Sequence, residues 1–369
     1  MRVPALIMLF AAAAPWWTIR YTGRDTNLRG VSLTQDSVWV AGSNGAVLRS
    51  TDDGKTWQRL PVPGGEGLDF RDIEAFSADL AYVMSSGERD QSRIYKTTDG
   101  GRSWKLQYCG QRPGFFLDSL ACDSPTHCVA ISDPVDSKFL ILLTGDGEHW
   151  QPLSDHSMPA ALPGEGAFAA SGTAIALCGP DIIFGTGGPA ARLFRSSDGG
   201  QSWTVSKTPL AGGNASSGIF SIACGEAGRL LVVGGDYKGS DRSDAVAAYS
   251  RDSGKTWRLS ATQPTGYRSA VTHAPNGDWV AVGLNGTDIS HDGGVHWERL
   301  DTTPWNAIAS KENATWAVGP KGTIARAQFR RQSGCAPIPR QLDSIISRVL
   351  RVAMEERACN RGRRGHAPA

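Results

Sequence analysis

The chain has 369 residues and carries 38 Lys and Arg against 36 Asp and Glu, a formal net charge of +2. So even a balance excludes the basic footprint of a nucleic-acid-binding domain, and 44 Gly, 20 Pro and 12 Trp suit many short strands and turns rather than a helical bundle. Residues 330–369 hold nine Arg and three acids, so the basic excess belongs to a tail.

In chain order, residues 1–14 read Met1, Arg2 and an apolar run ending Ala-rich. That is the pattern of a secretory signal peptide, too short to span a bilayer, and it predicts export to a periplasmic or extracellular space. Four strands are then expected near Arg29–Leu33, Ser37–Ala41, Ala46–Ser50 and Trp57–Leu60, from alternation such as Val38-Trp39-Val40. Between the last two lies Ser50 to Trp57, which reads Ser-x-Asp-x-Gly-x-Thr-Trp. The motif returns along the chain. Its Asp and Trp are Asp52 and Trp57, Asp99 and Trp104, Asp198 and Trp203, and Asp252 and Trp257. A copy with Asp146 and Trp150 is one residue short, and one with Asp292 and Trp297 has His296 where the hydroxyl belongs. Asp bonds backbone N–H groups two residues on, Gly supplies positive φ, and Trp enters the next strand. From Trp17 to Trp297 the Trp-to-Trp steps run from 40 to 54 residues, the length of one four-stranded propeller blade.

This motif is the Asp-box, or BNR repeat, of β-propeller proteins, and the chain resembles that class from about Trp16 to Phe329. Two families display it: the sialidases with related glycoside hydrolases, and the propellers of the photosystem II assembly and stability factor. GEGAFAASGT (Gly164 to Thr173) and GYRSAV (Gly266 to Val271) look more like the second. The resemblance implies an all-β domain over residues 15–330, and the repeats count to a seven-bladed propeller. The last unit, with strands near Trp305–Ser310, Thr315–Gly319 and Gly322–Phe329, ends without a box. Trp17–Arg20 is therefore expected to supply its outer strand and close the ring. The second family implies a non-enzymatic, exported scaffold that grips a protein or peptide, in the thylakoid lumen if the source is photosynthetic. The first implies glycoside hydrolysis.

In residues 331–369, Leu342, Ile345, Ile346, Val349, Leu350, Ala353 and Met354 recur at helical spacing. A short amphipathic C-terminal helix is expected there, docked on the ring or touching a membrane surface or partner. Cys122 and Cys128 bracket a turn between two strands and form the first candidate disulfide. Cys335 and Cys359 form a second, while Cys178 and Cys224, in apolar strands, read as buried thiols. A monomer is expected.

The boxes lack the glutamate of a calcium loop, and no metal site is expected. Gly185 to Ala190 fits a G-x-G-x-x-A dinucleotide fingerprint, but a strand follows where the fold needs a helix, so no cofactor is expected. The long insertions fall in D–A loops (Pro61–Asp69, Leu153–Gly166, Pro209–Ser217) and B–C loops (Ser86–Ser92, Gly235–Asp244). All lie on the face opposite the boxes, where the partner is expected. Aligning Leu28-Arg29-Gly30, Phe70-Arg71-Asp72, Leu117-Asp118-Ser119, Tyr267-Arg268-Ser269 and Trp305-Asn306-Ala307 sets Arg29, Arg71 and Arg268 at the channel mouth. Tyr267 and Asn306 join them, with Asp72, Asp118 and Glu165 on the other arc. Three converging arginines suit a carboxylate. Under the sialidase resemblance, Tyr267, Glu165, Asp72 and Asp118 become catalytic candidates. The missing Arg-Ile-Pro signature, a count of seven rather than six blades and the arginine spacing stand against that casting.

Overall fold

The computed structural model describes residues 16–23, 26–154 and 157–328. The expected signal peptide, the amphipathic helix and the Cys335–Cys359 pair lie outside the described residues. Those described form seven antiparallel sheets around an axis, each sheet a blade with strands A to D from the inside outward, the fifth blade adding Gly187–Gly188 beside its strand A. Blade 1 comprises Leu28–Leu33, Val38–Gly42, Ala46–Ser50 and Gln58–Arg59, and blades 2 to 6 have their strands A to D between Asp69 and Cys109, Leu117 and Pro152, Ile175 and Lys207, Asn214 and Leu259, and Ala270 and Asp301. Val38 to Gly42 is buried throughout, as a strand packed between two neighbouring blades must be.

Blade 7 takes strands A to C from Ala307–Lys311, Ala314–Val318 and Ile324–Ala327, and its outer strand is Trp17–Tyr21 from the other end of the chain. Trp17 pairs with Ala327, and its indole Nε1 donates to Thr287 Oγ1 of blade 6 at 3.0 Å. Its ring packs on Trp305 with centroids 5.1 Å apart. The closure removes the two open edges that an incomplete ring would expose.

Each box is the C–D turn of its blade. In the first, the Ser50 hydroxyl donates to Asp52 and accepts the Gly54 N–H, while Asp52 accepts the Thr56 N–H and hydroxyl at 2.9 and 2.6 Å. The variant boxes keep the contact, with His149 and His296 placing Nδ1 on Asp146 and Asp292. The Trp then reaches back to the preceding blade: Trp57 meets Trp316, Trp104 meets Trp39 and Trp150 meets Tyr82, all edge to face. Gly54 is required here, because at φ 75° a Cβ would lie 2.3 Å from the Trp316 ring. The boxes thus join blades as well as closing hairpins.

Cys122 and Cys128 sit opposite each other on strands A and B of blade 3 and are joined, with Cα atoms 4.1 Å apart. The reading of Cys178 and Cys224 as thiols is corrected: they form a disulfide. Both are the last residues of inner strands, Ile175–Cys178 and Asn214–Cys224, in adjacent blades. The side-by-side packing of those strands brings together residues 46 apart in sequence. After Gly185 comes no helix but the short strand Gly187–Gly188 and then the strand Arg192–Ser196.

Candidate functional site

Strand A begins on the face opposite the boxes. There the D–A and B–C loops meet: Gly45 N–H donates to Leu68 O, and Tyr267 N–H to Ser240 O. In blades 1, 2, 3 and 5 the pairing of strands A and B skips one residue, respectively Arg29, Arg71, Asp118 and Phe220. Such a bulge re-aims one side chain, here at the start of each inner strand.

Blade 6 corrects the alignment. A Cβ on Gly42 would meet Leu28 Cα, and those on Gly234, Gly283 and Gly319 would meet Ile219, Arg268 and Trp305 Cα. Arg268 therefore stands where Leu28 does, and Ser269, not Arg268, shares the place of Arg29. A slip of one residue moves a side chain to the other face of a strand. Arg268 is fully buried inside its blade, ion-paired with Asp288 of strand C, and its Nη1 donates to Asn285 Oδ1 at 2.5 Å. It takes no part in the mouth.

A segment of blade 4 crosses the channel below the mouth. Ala167 N–H is held by Asp133 Oδ1 at 3.0 Å, and the Ala169 and Ala170 carbonyls accept from Arg71 and Arg29 at 2.8 and 3.5 Å. Ser171 donates to Ser269 O of blade 6, and Thr173 to Ser221 of blade 5. Gly172 presses on blade 2, where a Cβ would lie 2.3 Å from Asp72 Oδ1. This plug separates a cavity of about 480 Å³ at the loop-bearing mouth from one of about 410 Å³ near the boxes.

The mouth cavity has two unlike walls. Arg29, Arg71, Asn27 and Asn306 form the polar one. Asn306 Nδ2 donates to Leu28 O and Asn27 Oδ1, tying blade 7 to blade 1. Opposite, Phe168 stacks on Phe220 at 3.8 Å, and Tyr267 and Tyr237 meet Phe220 edge to face. Leu284 and Tyr237 are over two-fifths exposed. Among the described residues, no carboxylate lines this cavity. Asp69, just outside it, pairs with Arg71 at 2.8 Å, so two guanidiniums face one acid. Burial, and then the neighbouring Arg71 charge, pull the Arg29 guanidinium below its ordinary pKa. An anion there would relieve that repulsion. Burial pushes the Tyr267 phenol up, so it stays protonated.

The carboxyl candidates do not assemble. Glu165 is closed off, forked by Arg192 and bonded by Thr186. Asp72 accepts the Leu120 and Ile73 N–H groups and belongs to the lower cavity, beside Glu74. Asp118 is buried against Asp133, and burial, then that neighbour, holds its carboxyl well above the usual range. Sequence reasoning missed Phe168, Phe220, Tyr237, Leu284 and Asp133. The long insertion before Gly166 was the available signal for the plug.

The ring, its boxes and its closing strand define the class: an Asp-box, or BNR-repeat, seven-bladed β-propeller. The profile of the family described as photosynthesis system II assembly factor YCF48 matches residues 16–160, and the chain resembles the propellers of that family. A photosystem II assembly lipoprotein Ycf48 from Synechococcus sp. (strain CC9902) is 33% identical over 87 residues, 22% of this chain. A xyloglucanase from Paenibacillus sp. is 22% identical over 239 residues, 63% of this chain. The matches cover 24% and 19% of those relatives' own lengths. Among solved structures, YCF48 bound to D1 peptide superposes with a TM-score of 0.62 at 15% identity, over 87% of this chain and 99% of that one. A virginiamycin B lyase from Staphylococcus aureus gives 0.62 at 16%, over 83% and 96%. Propellers of unlike activity thus share this fold equally well, and function rests on the site.

Proposed function

We propose that the chain is a non-enzymatic, exported scaffold, similar to a photosystem II assembly factor, that grips a protein or peptide partner at the loop-bearing mouth. The observation that carries this reading is the cavity itself: Arg29 and Arg71 face an apolar wall of Phe168, Phe220, Tyr237, Tyr267 and Leu284, with no carboxylate among the described residues that line it. Such a cleft takes an acidic group on one side and an apolar side chain on the other. The D1 peptide bound by a structurally similar YCF48 supports a peptide as the occupant. Export to a periplasm or the cell exterior, or to the thylakoid lumen of a photosynthetic source, follows from residues 1–14. The glycoside-hydrolase alternative is weakened by Glu165, whose carboxylate Arg192 occupies.

Fluorescence anisotropy with a labelled glutamate-bearing peptide tests the reading. A charge-assisted hydrogen bond contributes about 1.5–3 kcal/mol, so Arg29→Ala with Arg71→Ala should weaken binding at least about 100-fold. Arg59→Ala, on the exposed outer strand of blade 1, should change nothing. Equal binding by wild type and the double variant would overturn the site.

A further inference from the structure

A second cavity of about 600 Å³ opens beside the mouth among the loops of blades 3, 4 and 5, and Phe168 lines both. Their charges are opposite. Among the described residues, the mouth is lined by two guanidiniums and no carboxylate, and the outer cavity by Glu165 and Asp133 and no cation. Glu165 is neutralised by Arg192. Asp133 is different. Its Oδ1 accepts the Ala167 N–H at 3.0 Å, and among the described residues no hydrogen bond engages Oδ2. Burial raises its carboxyl to about 6, so it is ionised in the neutral range.

The plug supplies a ruler between the two charges. Asp133 holds the N–H of Ala167, while Arg71 and Arg29 hold the carbonyls of Ala169 and Ala170. At roughly 3.3 Å per extended residue, the anionic and cationic anchors are about 7–10 Å apart. An extended segment lying above the plug meets both anchors within two to four residues, with the Phe168 ring as the ridge between them.

We propose that the partner segment is charge-paired: it sets an acidic side chain over Arg29 and Arg71 and, about two to four residues away, a basic side chain against Asp133. This inference rests on the peptide-binding reading above and narrows it. The arginine pair alone accepts any carboxylate. Asp133 adds a contact of opposite sign at a fixed distance, which discriminates between acidic segments and fixes their direction across the face.

The experiment compares two labelled heptapeptides by fluorescence anisotropy at neutral pH, one with Glu and Lys three positions apart and one with that Lys replaced by Ala. The Lys-bearing peptide is expected to bind about tenfold tighter. Asp133→Asn should erase that preference while leaving the affinity of the Ala peptide unchanged. The Asn amide oxygen still accepts the Ala167 N–H, and a melting midpoint no lower than that of the wild type at neutral pH verifies that the plug is intact. Equal affinity of the two peptides for wild type, or a preference that survives Asp133→Asn, overturns the charge-paired segment and leaves the peptide site standing. Binding of neither peptide removes the peptide reading and this inference with it.

Discussion

The Asp-boxes and the inner-strand starts are the two repeated features of the ring, and they diverge in opposite ways. In the boxes the side chains hardly change, and where His149 or His296 replaces a hydroxyl residue the bond to Asp is still made. At the inner-strand starts the bulge recurs, but the re-aimed residue is Arg29, Arg71, Asp118 or Phe220. The turn is kept in every box, though one is a residue short, and the bulge is kept in four blades. Side chains vary only at the mouth, where they build a cavity with two unlike walls, so identity holds the ring together and variation gives it a binding face.

The strongest way to break this contrast is to open the ring. Deleting residues 16–22 removes the outer strand of blade 7 and with it Trp17, which is buried between blades 6 and 7. Loss of a buried Trp side chain costs about 3–5 kcal/mol, a large share of ordinary domain stability. Trp17→Ala alone should therefore lower the melting midpoint markedly, and the deletion more so. An unchanged midpoint in the deletion would mean that closure does not depend on this strand.

Arg268 sharpens the contrast from inside a blade. By position in sequence it belongs with Arg29 and Arg71; by packing it belongs with Leu28 and Trp305. Arg268→Ala leaves Asp288 buried without its partner, a change that costs about 3–5 kcal/mol. Stability should fall while peptide affinity of the protein that remains folded stays the same. Replacing both partners, with Arg268→Met and Asp288→Leu, should restore much of the midpoint. A loss of affinity without a loss of stability would return Arg268 to the mouth.

That single residue also marks how far the sequence could be read. The boxes are visible because each is a local turn whose bonds lie within seven residues, and their spacing gives the blade count. The closing strand is visible because Trp17-Thr18-Ile19-Arg20 resembles the strand after a box. Positions in the mouth depend on register between strands, and Tyr267-Arg268 resembles Phe70-Arg71 closely enough to hide a slip of one. Glycine opposite the strand start, as at Gly42 and Gly283, marks the register, but only once the pairing is known. The Cys178–Cys224 disulfide and the plug depend on contacts between blades, which no local pattern encodes. Asp133 was hidden for the same reason, since its partner Ala167 comes from the next blade.

Acidity separates the two regions with the smallest expected effect. In the boxes, hydrogen bonds from Thr56, Ser103, Ser202 and Thr256 hold Asp52, Asp99, Asp198 and Asp252 at about 2. Each is stabilising above its unfolded pKa of about 4, and that stability is lost as pH falls toward 2. The channel carboxyls behave oppositely. Burial raises Asp133 to about 6 and Glu74 to about 8, and it holds Asp72 and Asp118 well above the usual range. A carboxyl raised in the folded chain keeps a proton that unfolding releases, so stability declines as pH rises from about 4 through the folded value. The two trends meet in a stability maximum near about pH 4, where the acid limb levels off and the alkaline decline begins. A melting series from acid to alkaline pH should rise to that maximum and then fall by a few degrees toward about pH 8. Asp133→Asn should flatten the first part of the alkaline decline and Glu74→Gln the later part, while the acid limb, set by the boxes, stays in place. A midpoint that climbs steadily from pH 5 to 8 would mean that the channel carboxyls are ionised and solvated in the folded ring.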